Sequence, residues 1–175
     1  MKKWAFLAIF VVVAYTAFLA WKRSGGVAAE KLTDLSDEAR QKIADKIKGK
    51  PWYGTLVRIA ADYDIPRQRI ASIVAVESQG NEKAVGKAGE LGLMQLMEPA
   101  IKDVYSSWNQ SYIAALALGL DLFDAKTNLT IGTCYVAILK KRTGNLDQAT
   151  QDFNDGGLNR GYAYLNEVKS FEKFF

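Results

Sequence analysis

The chain has 175 residues, enough for one domain with a hydrophobic core, and its 23 basic and 19 acidic residues give a formal net charge of +4. It contains no histidine and one cysteine, which excludes Ser-His-Asp and Cys-His nucleophiles, histidine-ligated zinc and an intramolecular disulfide. Because no glycine-rich phosphate loop occurs either, any enzyme chemistry must come mainly from carboxylates, amides, hydroxyls and lysine, and we predict no metal and no cofactor.

The excess positive charge lies beside a single apolar segment. Lys2, Lys3, Lys22 and Arg23 flank that segment, and the rest of the chain has 19 basic and 19 acidic residues. A nucleic-acid-binding domain is expected to carry a basic stripe in its folded part. The one tight cluster, Lys-Lys-Arg at 140–142, falls where a helix C-terminus favours cations. We therefore predict no nucleic-acid partner.

The N-terminal segment is long enough to cross a membrane. Residues 4–21 contain no charge, and 18 helical residues reach about 27 Å, close to a hydrocarbon core of roughly 30 Å. Trp4 and Trp21 stand at its two ends, where indole rings prefer the headgroup region. The small residues Val27–Ala29 resemble a signal-peptide cleavage site, but the apolar run is long for a signal and basic residues follow it directly. We predict a transmembrane anchor, or uncleaved signal, at residues 1–23, with the membrane bound through residues 4–21.

Residues 24–50 are polar and predict one short helix. The stretch "SDEARQKIADKIKG" has Ser36 as its N-cap and acidic residues in its first turn, and Gly49 and Pro51 end it. This segment is either a stalk between membrane and domain or the first helix of the fold.

The remainder, residues 51–175, reads as mainly α. Helices are predicted over "WYGTLVRIAADYD" and, after Pro66, over the segment that carries Glu77, followed by a loop at "QGNEKAVGKAGELG". Further helices are predicted over "LMQLMEPAIKDVYSSW", over "SYIAALALGLDLF" as an apolar helix of the interior, after an N-cap at Asn128, and over "NLDQATQDFNDGG". Cys134, inside the helix after Asn128, is interpreted as a small core residue.

Glu77 lies on the apolar stripe of its predicted helix. It shares one helix face with Ile70, Ile73 and Val74. We expect this face to be buried and the opposite face, which carries Ser72, Ala75 and Gln79, to be exposed. A carboxylate on a buried face costs on the order of several kcal/mol unless it is paired, hydrogen-bonded or protonated. A raised pKa at this position predicts a general acid.

Two stretches resemble one known family. "AVESQGNEKAVGKAGELGLMQLMEP" is similar to the front half of the Slt-type lytic transglycosylase domain, with Glu-Ser ending a helix, a glycine-rich loop, Gly-Leu-Met-Gln and a proline. "LFDAKTNLTIGTCYVAILKKRTGNLDQATQDFNDG" is similar to its back half, with an Asn-(Leu/Ile)-x-x-Gly helix and an Ala-x-x-Tyr-Asn-x-Gly element. The resemblance runs from about Tyr53 to Tyr164 and implies a lysozyme-like helical catalytic domain, related to goose lysozyme and to glycoside hydrolase family 23, at residues 51–175.

The resemblance also implies the reaction. Such domains cleave the β-1,4 bond between N-acetylmuramic acid and N-acetylglucosamine in peptidoglycan strands, and Glu77 matches their single catalytic carboxylate. It would protonate the glycosidic oxygen, and the muramoyl 6-hydroxyl would close onto C1 to give a 1,6-anhydro product. If a second carboxylate served as base, water would be the nucleophile and the protein would be a goose-type lysozyme. The candidates for this second carboxylate are the acids near the motifs, Glu82, Glu90, Glu98, Asp152 and Asp155. A catalytically degenerate glycan-binding or structural protein of a cell envelope or virion is the third reading.

The remaining site residues follow from the same resemblance. Substrate-binding roles are implied for eight residues: Ser78, Gly92, Leu93, Met94, Gln95, Phe153, Asn154 and Tyr162. Gly156 matches the fourth element together with Asn154, and Asn128 matches the third element but could equally be a helix cap. Phe153 replaces the family's usual tyrosine, whose hydroxyl contacts the acid, so a donor to Glu77 is expected to be lost unless Tyr162 or Tyr164 supplies it. The implied location is a single-pass inner or virion membrane, with the domain on the periplasmic, cell-wall side.

Overall fold

The computed structural model describes residues 35–155 and 162–175. In these ranges the chain forms helices and no named strand, and the order is α1 Asp37–Lys48, α2 Tyr53–Asp62, α3 Arg67–Ser78, α4 Glu98–Ser107, α5 Tyr112–Ala117, α6 Ala125–Thr143, α7 Leu146–Asp155 and α8 Ala163–Glu172. The mainly helical prediction is confirmed. Residues 4–21 and Gly156 lie outside the described ranges. Within those ranges no helix has both the length and the apolar character to cross a bilayer.

Helix α3, which carries Glu77, runs through the centre of the domain. The stripe residues Ile70, Ile73 and Val74 are fully buried, but Ser72 and Ala75 on the supposed outer face are fully buried too. The prediction of an exposed opposite face is wrong, because α3 has α1, α2 and α8 packed around it. Its apolar pattern therefore belongs to a core helix rather than to a surface helix.

Helix α1 belongs to the folded domain. The Ser36 hydroxyl accepts a hydrogen bond from the Ala39 amide at 3.2 Å, which confirms the predicted N-cap. Ala44 and Ile47 are fully buried, and the helix packs against α3 and α8. Of the two roles left open for this helix, the structure shows the first helix of the fold.

Residues 93–97 are not helical, so the prediction of a helix over that stretch is wrong. Gly92 has a φ of +75° and Gln95 a φ of +45°, and neither value fits a right-handed helix. Leu91 instead makes single antiparallel bridges to Val85 and Leu96. Helix α4 begins only at Glu98, with a proline in its first turn.

The segment at residues 111–123 is also different from its prediction. Helix α5 has six residues and ends before Gly119, whose φ is +86°. Ile113 and Leu118 are 67% and 88% exposed, so the prediction of an interior helix is wrong. Tyr112 and Ala115 pack against the core, and the Tyr112 ring lies 6.0 Å from that of Tyr105 on α4.

Helix α6 begins one turn before the predicted cap. The Asp124 side chain accepts a hydrogen bond from the Thr127 amide at 2.8 Å and is the N-cap. Asn128 lies inside the helix and is fully buried, so its predicted role as a cap is wrong. The helix ends at Gly144 in a left-handed conformation, and it packs on α2, α4 and α7.

A buried arginine connects α3 to α7 and α8. Arg69 is 5% exposed. Its guanidinium donates to Glu172 at 2.5 Å, to the Thr150 hydroxyl at 2.7 Å and to Asp147 at 2.8 Å. The planar guanidinium suits such a junction because its donors point in several fixed directions. These bonds fix the two C-terminal helices against the helix that carries Glu77.

Candidate active site

An open cleft of about 320 Å³ lies at the C-terminal end of α3. Residues from α3, the loop after it, the start of α4, and helices α6 and α7 form its walls. Its polar lining residues are Glu77, Glu90, Gln95 and Asn154, and its remaining lining residues are Leu96, Met97, Pro99, Ala100, Tyr135 and Phe153. A cleft with mostly apolar walls and a few convergent polar groups is the usual form of a ligand site.

Glu77 stands at the point where the central helix opens into this cleft. The helix ends one residue later, and Gln79 reverses the chain with a φ of +51°. Burial raises the pKa of Glu77 to about 7, the hydrogen bond from Tyr164 opposes that shift, and the carboxylates of Glu90 and Glu167 add to it. The side chain is part-exposed towards the cleft although its surroundings are apolar. Glu77 is thus a carboxyl group that can hold or release a proton near neutral pH.

Tyr164, on α8, supplies the hydroxyl that Phe153 lacks. Its phenolic oxygen donates to Glu77 Oε1 at 2.6 Å. Burial, together with the neighbouring Glu77 carboxylate, raises the pKa of Tyr164 well above its ordinary value, so the phenol stays protonated and remains a donor. Of the two tyrosines named as possible replacements for the missing donor, Tyr164 is the one that contacts Glu77. The other candidate, Tyr162, is 54% exposed, and its hydroxyl lies 3.5 Å from Gln148 Oε1.

Phe153 and Tyr135 form an aromatic pair in the cleft wall. Their ring centroids are 5.8 Å apart at an interplanar angle of 51°. Tyr135 is part-exposed in α6, two helical turns after Asn128, and burial raises its pKa. The sequence motif does not identify Tyr135, because the Asn-(Leu/Ile)-x-x-Gly element ends at Gly132. Asn154, next to Phe153, is exposed and lines the same cleft.

Asn128 fixes the loop that carries the Gly-Leu-Met-Gln motif. Its Oδ1 accepts from the Met94 amide at 2.9 Å, and its Nδ2 donates to the carbonyls of Leu91 and Leu122, each at 2.9 Å. A Cβ on Gly92 would lie 2.3 Å from Asn128 Nδ2, so only glycine leaves space for this contact. The asparagine therefore positions the loop from beneath.

Gly132, one helical turn after Asn128, completes the support. A Cβ at this position would lie 2.3 Å from Met94 Sδ, so the glycine lets the methionine pack directly against α6. Leu93 and Met94 are both fully buried. They do not line the groove as implied by the resemblance; they are core residues that anchor the loop. The Asn-x-x-x-Gly spacing is explained by two contacts one turn apart on the same helix face.

Ser78 acts on the same loop and not on Glu77. Its hydroxyl lies 2.8 Å from the Leu93 carbonyl and 3.2 Å from the Val74 carbonyl, and it donates to both as a shared contact. The serine thus connects the end of α3 to the motif loop. Its effect on the acid is indirect, through the backbone that follows Glu77.

Gln95 faces the cleft with one end of its amide. Its Nε2 donates to the carbonyls of Gly92 at 2.8 Å and Ala84 at 3.3 Å. Both amide hydrogens are used in this way, which leaves Oε1 as an acceptor for a ligand. The residue has a φ of +45°, an uncommon conformation for a side chain other than glycine.

The acids considered as second carboxylates have different surroundings. Glu82 accepts from the Trp52 indole at 2.8 Å, Glu98 pairs with Lys102, and Asp152 accepts from Gln148. The Asp155 side chain lies outside the described part of the chain. Glu90 alone among those described lines the cleft with Glu77.

Comparisons with known proteins agree with this geometry. The sequence model of the family described as "Transglycosylase SLT domain" matches residues 56–173. The chain belongs to the SLT domain family. The membrane-bound lytic murein transglycosylase E of Buchnera aphidicola subsp. Acyrthosiphon pisum (strain APS) is 34% identical over 94 residues, which cover 53% of this chain and 41% of that protein. The protein of the same name from Buchnera aphidicola subsp. Baizongia pistaciae (strain Bp) is 32% identical over 92 residues, which cover 52% of this chain and 42% of that protein.

A solved structure has a similar fold. An inactive mutant of the lytic transglycosylase Slt from Pseudomonas aeruginosa superposes with a TM-score of 0.53 at 22% identity. The match covers 71% of this chain and 22% of the Slt chain. The family assignment predicted from the motifs is confirmed, and the chain aligns with about two fifths of the length of the two curated relatives.

Proposed function

We propose that this protein is a peptidoglycan lytic transglycosylase in which Glu77 is the single acid and base. Membership of the SLT domain family and the names of the two relatives support this activity. The observation that carries the proposal is the Glu77 carboxyl group, which has a pKa raised to about 7 by burial and receives a 2.6 Å hydrogen bond from Tyr164 inside a cleft. A general acid is most effective when its pKa lies near the working pH.

The proposed reaction uses one carboxyl group twice. Protonated Glu77 donates its proton to the glycosidic oxygen as the bond from C1 of N-acetylmuramic acid breaks, and the electron pair leaves with that oxygen. The muramoyl 6-hydroxyl then bonds to C1, and the Glu77 carboxylate takes the hydroxyl proton. The product ends in 1,6-anhydro-N-acetylmuramic acid, no water is consumed, and Glu77 is returned to its protonated state.

The cleft residues have chemistry that suits an N-acetylated glycan. Gln95 Oε1 is free to accept from an acetamido N–H. Phe153 and Tyr135 offer aromatic surface to the apolar face of a sugar ring. Asn154, exposed at the same cleft, can donate and accept at sugar hydroxyls.

A second candidate function is hydrolysis by a goose-type lysozyme. Glu90 supports it, since this second carboxylate lines the cleft that holds Glu77, and a base that activates water would give reducing ends instead of anhydro ends. The interpretation as a degenerate, non-catalytic protein is disfavoured. It relied on the hydroxyl absent at Phe153, and the Tyr164 hydroxyl donates to Glu77 in its place.

We further propose that residues 4–21 anchor the protein in a membrane with the domain on the cell-wall side. The two relatives are named membrane-bound, and the apolar segment has the length that a bilayer requires. A small tethered domain suits local opening of the wall, for an envelope-spanning apparatus or for a phage entering or leaving a cell.

The direct test is replacement of the acid. Glu77→Gln keeps the size of the side chain and an acceptor for Tyr164 but has no proton to transfer. The full chain with this change should lose clearing of a peptidoglycan suspension by at least about a hundredfold while it still sediments with the wall. Glu98→Gln, an exposed acid paired with Lys102 at the start of α4, is the charge-matched control. Clearing by Glu77→Gln at the rate of this control would refute the proposal.

A further inference from the structure

Glu90 is a cleft residue to which the proposed reaction gives no role. It lies one residue before Leu91, in the loop between α3 and α4, and its side chain lines the cleft together with Glu77. The two carboxyl groups are close enough for the charge on Glu90 to raise the pKa of Glu77. Two carboxyl groups therefore face the same cleft.

The Glu90 side chain is held in one orientation. Its Oε2 accepts a hydrogen bond from the Ala88 amide at 2.9 Å, and its own carbonyl accepts from the Gly86 amide at 2.8 Å. A Cβ on Gly86 would lie 2.1 Å from Glu90 Oε2 and 2.8 Å from Gln95 Oε1. The absence of a side chain at Gly86 thus leaves room for the Glu90 carboxylate and the Gln95 amide to lie over the same glycine.

The charge of Glu90 has no cationic partner in the described part of the chain. Lys83 and Lys87 belong to the same loop, but neither forms an ion pair with Glu90; the Lys83 ammonium instead contacts the Phe123 carbonyl and ring. The part-exposed Glu90 carboxylate is held by one backbone amide and has no counter-ion, so it is available to a positive charge that arrives in the cleft. The cleft therefore has an oriented negative charge in place before any ligand binds.

A glycosidic bond that breaks after protonation leaves such a positive charge. The transition state resembles an oxocarbenium ion, with the charge shared by C1 and the ring oxygen of the sugar. Charges that are oriented before the reaction stabilise a transition state more effectively than groups that must reorganise. Glu77 cannot supply this stabilisation at that moment, because it carries its proton until the bond breaks.

We propose that Glu90 is a second functional carboxylate of the cleft, which stabilises the positive charge on the muramoyl ring while Glu77 transfers its proton. This inference rests on the proposed function and adds a residue to it. Glu90 forms no covalent bond and exchanges no proton: the C1–oxygen bond breaks, the Glu77 proton joins the leaving oxygen, and the 6-hydroxyl closes onto C1 as described above.

The test is Glu90→Gln in the full chain. Glutamine keeps the size of the side chain and an acceptor for the Ala88 amide, so the change removes the charge alone. We expect kcat to fall by about tenfold to a hundredfold with KM within about twofold of wild type, since the charge acts on the transition state. Glu98→Gln, which removes an exposed acid outside the cleft, should leave both constants unchanged. Equal kcat values for Glu90→Gln, Glu98→Gln and wild type would overturn the inference.

The pH profile provides a readout that a structural role would not change. The fall of activity at high pH, the basic limb of the profile, reports loss of the proton from Glu77. The charges of Glu90 and Glu167 raise the pKa of Glu77, and the hydrogen bond from the Tyr164 hydroxyl lowers it. Without the Glu90 charge the limb should move to lower pH. Glu90→Asp keeps the charge at a shorter reach, so its limb should stay near the wild-type position and its kcat should lie between the other two. An aspartate variant as slow as the glutamine variant would contradict a role for the charge.

Two further results separate this inference from the proposed function. If wild type releases reducing ends and Glu90→Gln stops only that hydrolysis, Glu90 is a base for water and the stabilising role is overturned. If Glu77→Gln keeps full activity, the proposed function fails whatever Glu90 does. If Glu77→Gln loses activity as predicted and Glu90→Gln keeps the kcat of wild type, the role of Glu90 is refuted and the proposed function stands.

Discussion

The Tyr164 hydroxyl donates a 2.6 Å hydrogen bond to Glu77 Oε1 across 87 positions of sequence. The two residues come from adjacent helices, α3 and α8, which are joined by the bond of Arg69 to Glu172. The acid is therefore oriented by a tyrosine of the last helix and not by the residue that replaces the family's usual tyrosine, Phe153.

Tyr164→Phe should slow the reaction and move its pH dependence. The hydrogen bond lowers the pKa of Glu77 against the effect of burial, so its loss should shift the basic limb to higher pH. A hydrogen bond to a charged group contributes about 1.5 to 3 kcal/mol, which corresponds to a kcat decrease of roughly tenfold to a hundredfold. Steady-state rates between pH 5 and 9 test this. Tyr112→Phe, which removes a hydroxyl on α5 outside the cleft, should match wild type, and a Tyr164→Phe profile that overlays it would contradict the assignment.

Glu77→Gln should be more stable than wild type, and the difference in unfolding free energy should grow as the pH rises. The pKa of Glu77 is raised from 4.5 to about 7, so the folded state holds a proton that the unfolded state has lost over this interval. Stability of the wild type falls between these values, and the deficit is complete above pH 7. A shift of this size corresponds to about 3 kcal/mol, which glutamine avoids. Urea unfolding at pH 4.5 and pH 8 should show the advantage of the variant growing with pH; a constant difference would show that the carboxyl is not desolvated.

Gly132→Ala should destabilise the protein although alanine is the better helix former. The new Cβ would lie 2.3 Å from Met94 Sδ, and Met94 is fully buried, so the motif loop must shift. Overpacking of this kind costs about 1 to 3 kcal/mol. Gly54→Ala is a matched control, because Gly54 lies in α2 with nothing within 4 Å of the added Cβ, and it should be neutral or stabilising by up to about 1 kcal/mol. Thermal unfolding of the two variants decides the prediction, and equal Tm values would refute it.

Asn128→Ala should cost more than its volume suggests. It removes the partners of the Met94 amide and of the Leu122 carbonyl, both of which are buried. It also removes one of the two donors to the Leu91 carbonyl, which still accepts from the Leu96 amide at 2.9 Å. Buried polar groups without partners cost about 1 to 3 kcal/mol each, so a loss of about 3 kcal/mol in unfolding free energy is expected. Asn166→Ala, at an exposed position of α8, should change stability by less than about 0.5 kcal/mol. A similar small effect at Asn128 would mean that the loop is held by other contacts.

The local part of the site could be predicted from sequence. The helix carrying Glu77, the buried stripe of Ile70, Ile73 and Val74, and the family of the domain all follow from short-range pattern and motif order. Position 128 shows the limit, because Asp124 and Asn128 are both good cap residues one turn apart, and the choice depends on where the motif loop packs.

The contacts between residues far apart in sequence could not be predicted without the folded structure. Tyr164 and Glu90 meet Glu77 only through the packing of α8 and of the loop over Gly86. The apolar composition of residues 111–123 predicts an interior helix, but the pattern alone does not show whether a neighbouring element covers it. Ile113 and Leu118 remain exposed for that reason.

Mass spectrometry of the muropeptides that the full chain releases from purified peptidoglycan tests the central claim most directly. Chemistry by Glu77 alone predicts products that end in 1,6-anhydro-N-acetylmuramic acid from wild type and from Glu98→Gln, and no such products from Glu77→Gln. Reducing ends as the main wild-type product, or anhydro ends released by Glu77→Gln at the wild-type rate, would contradict it.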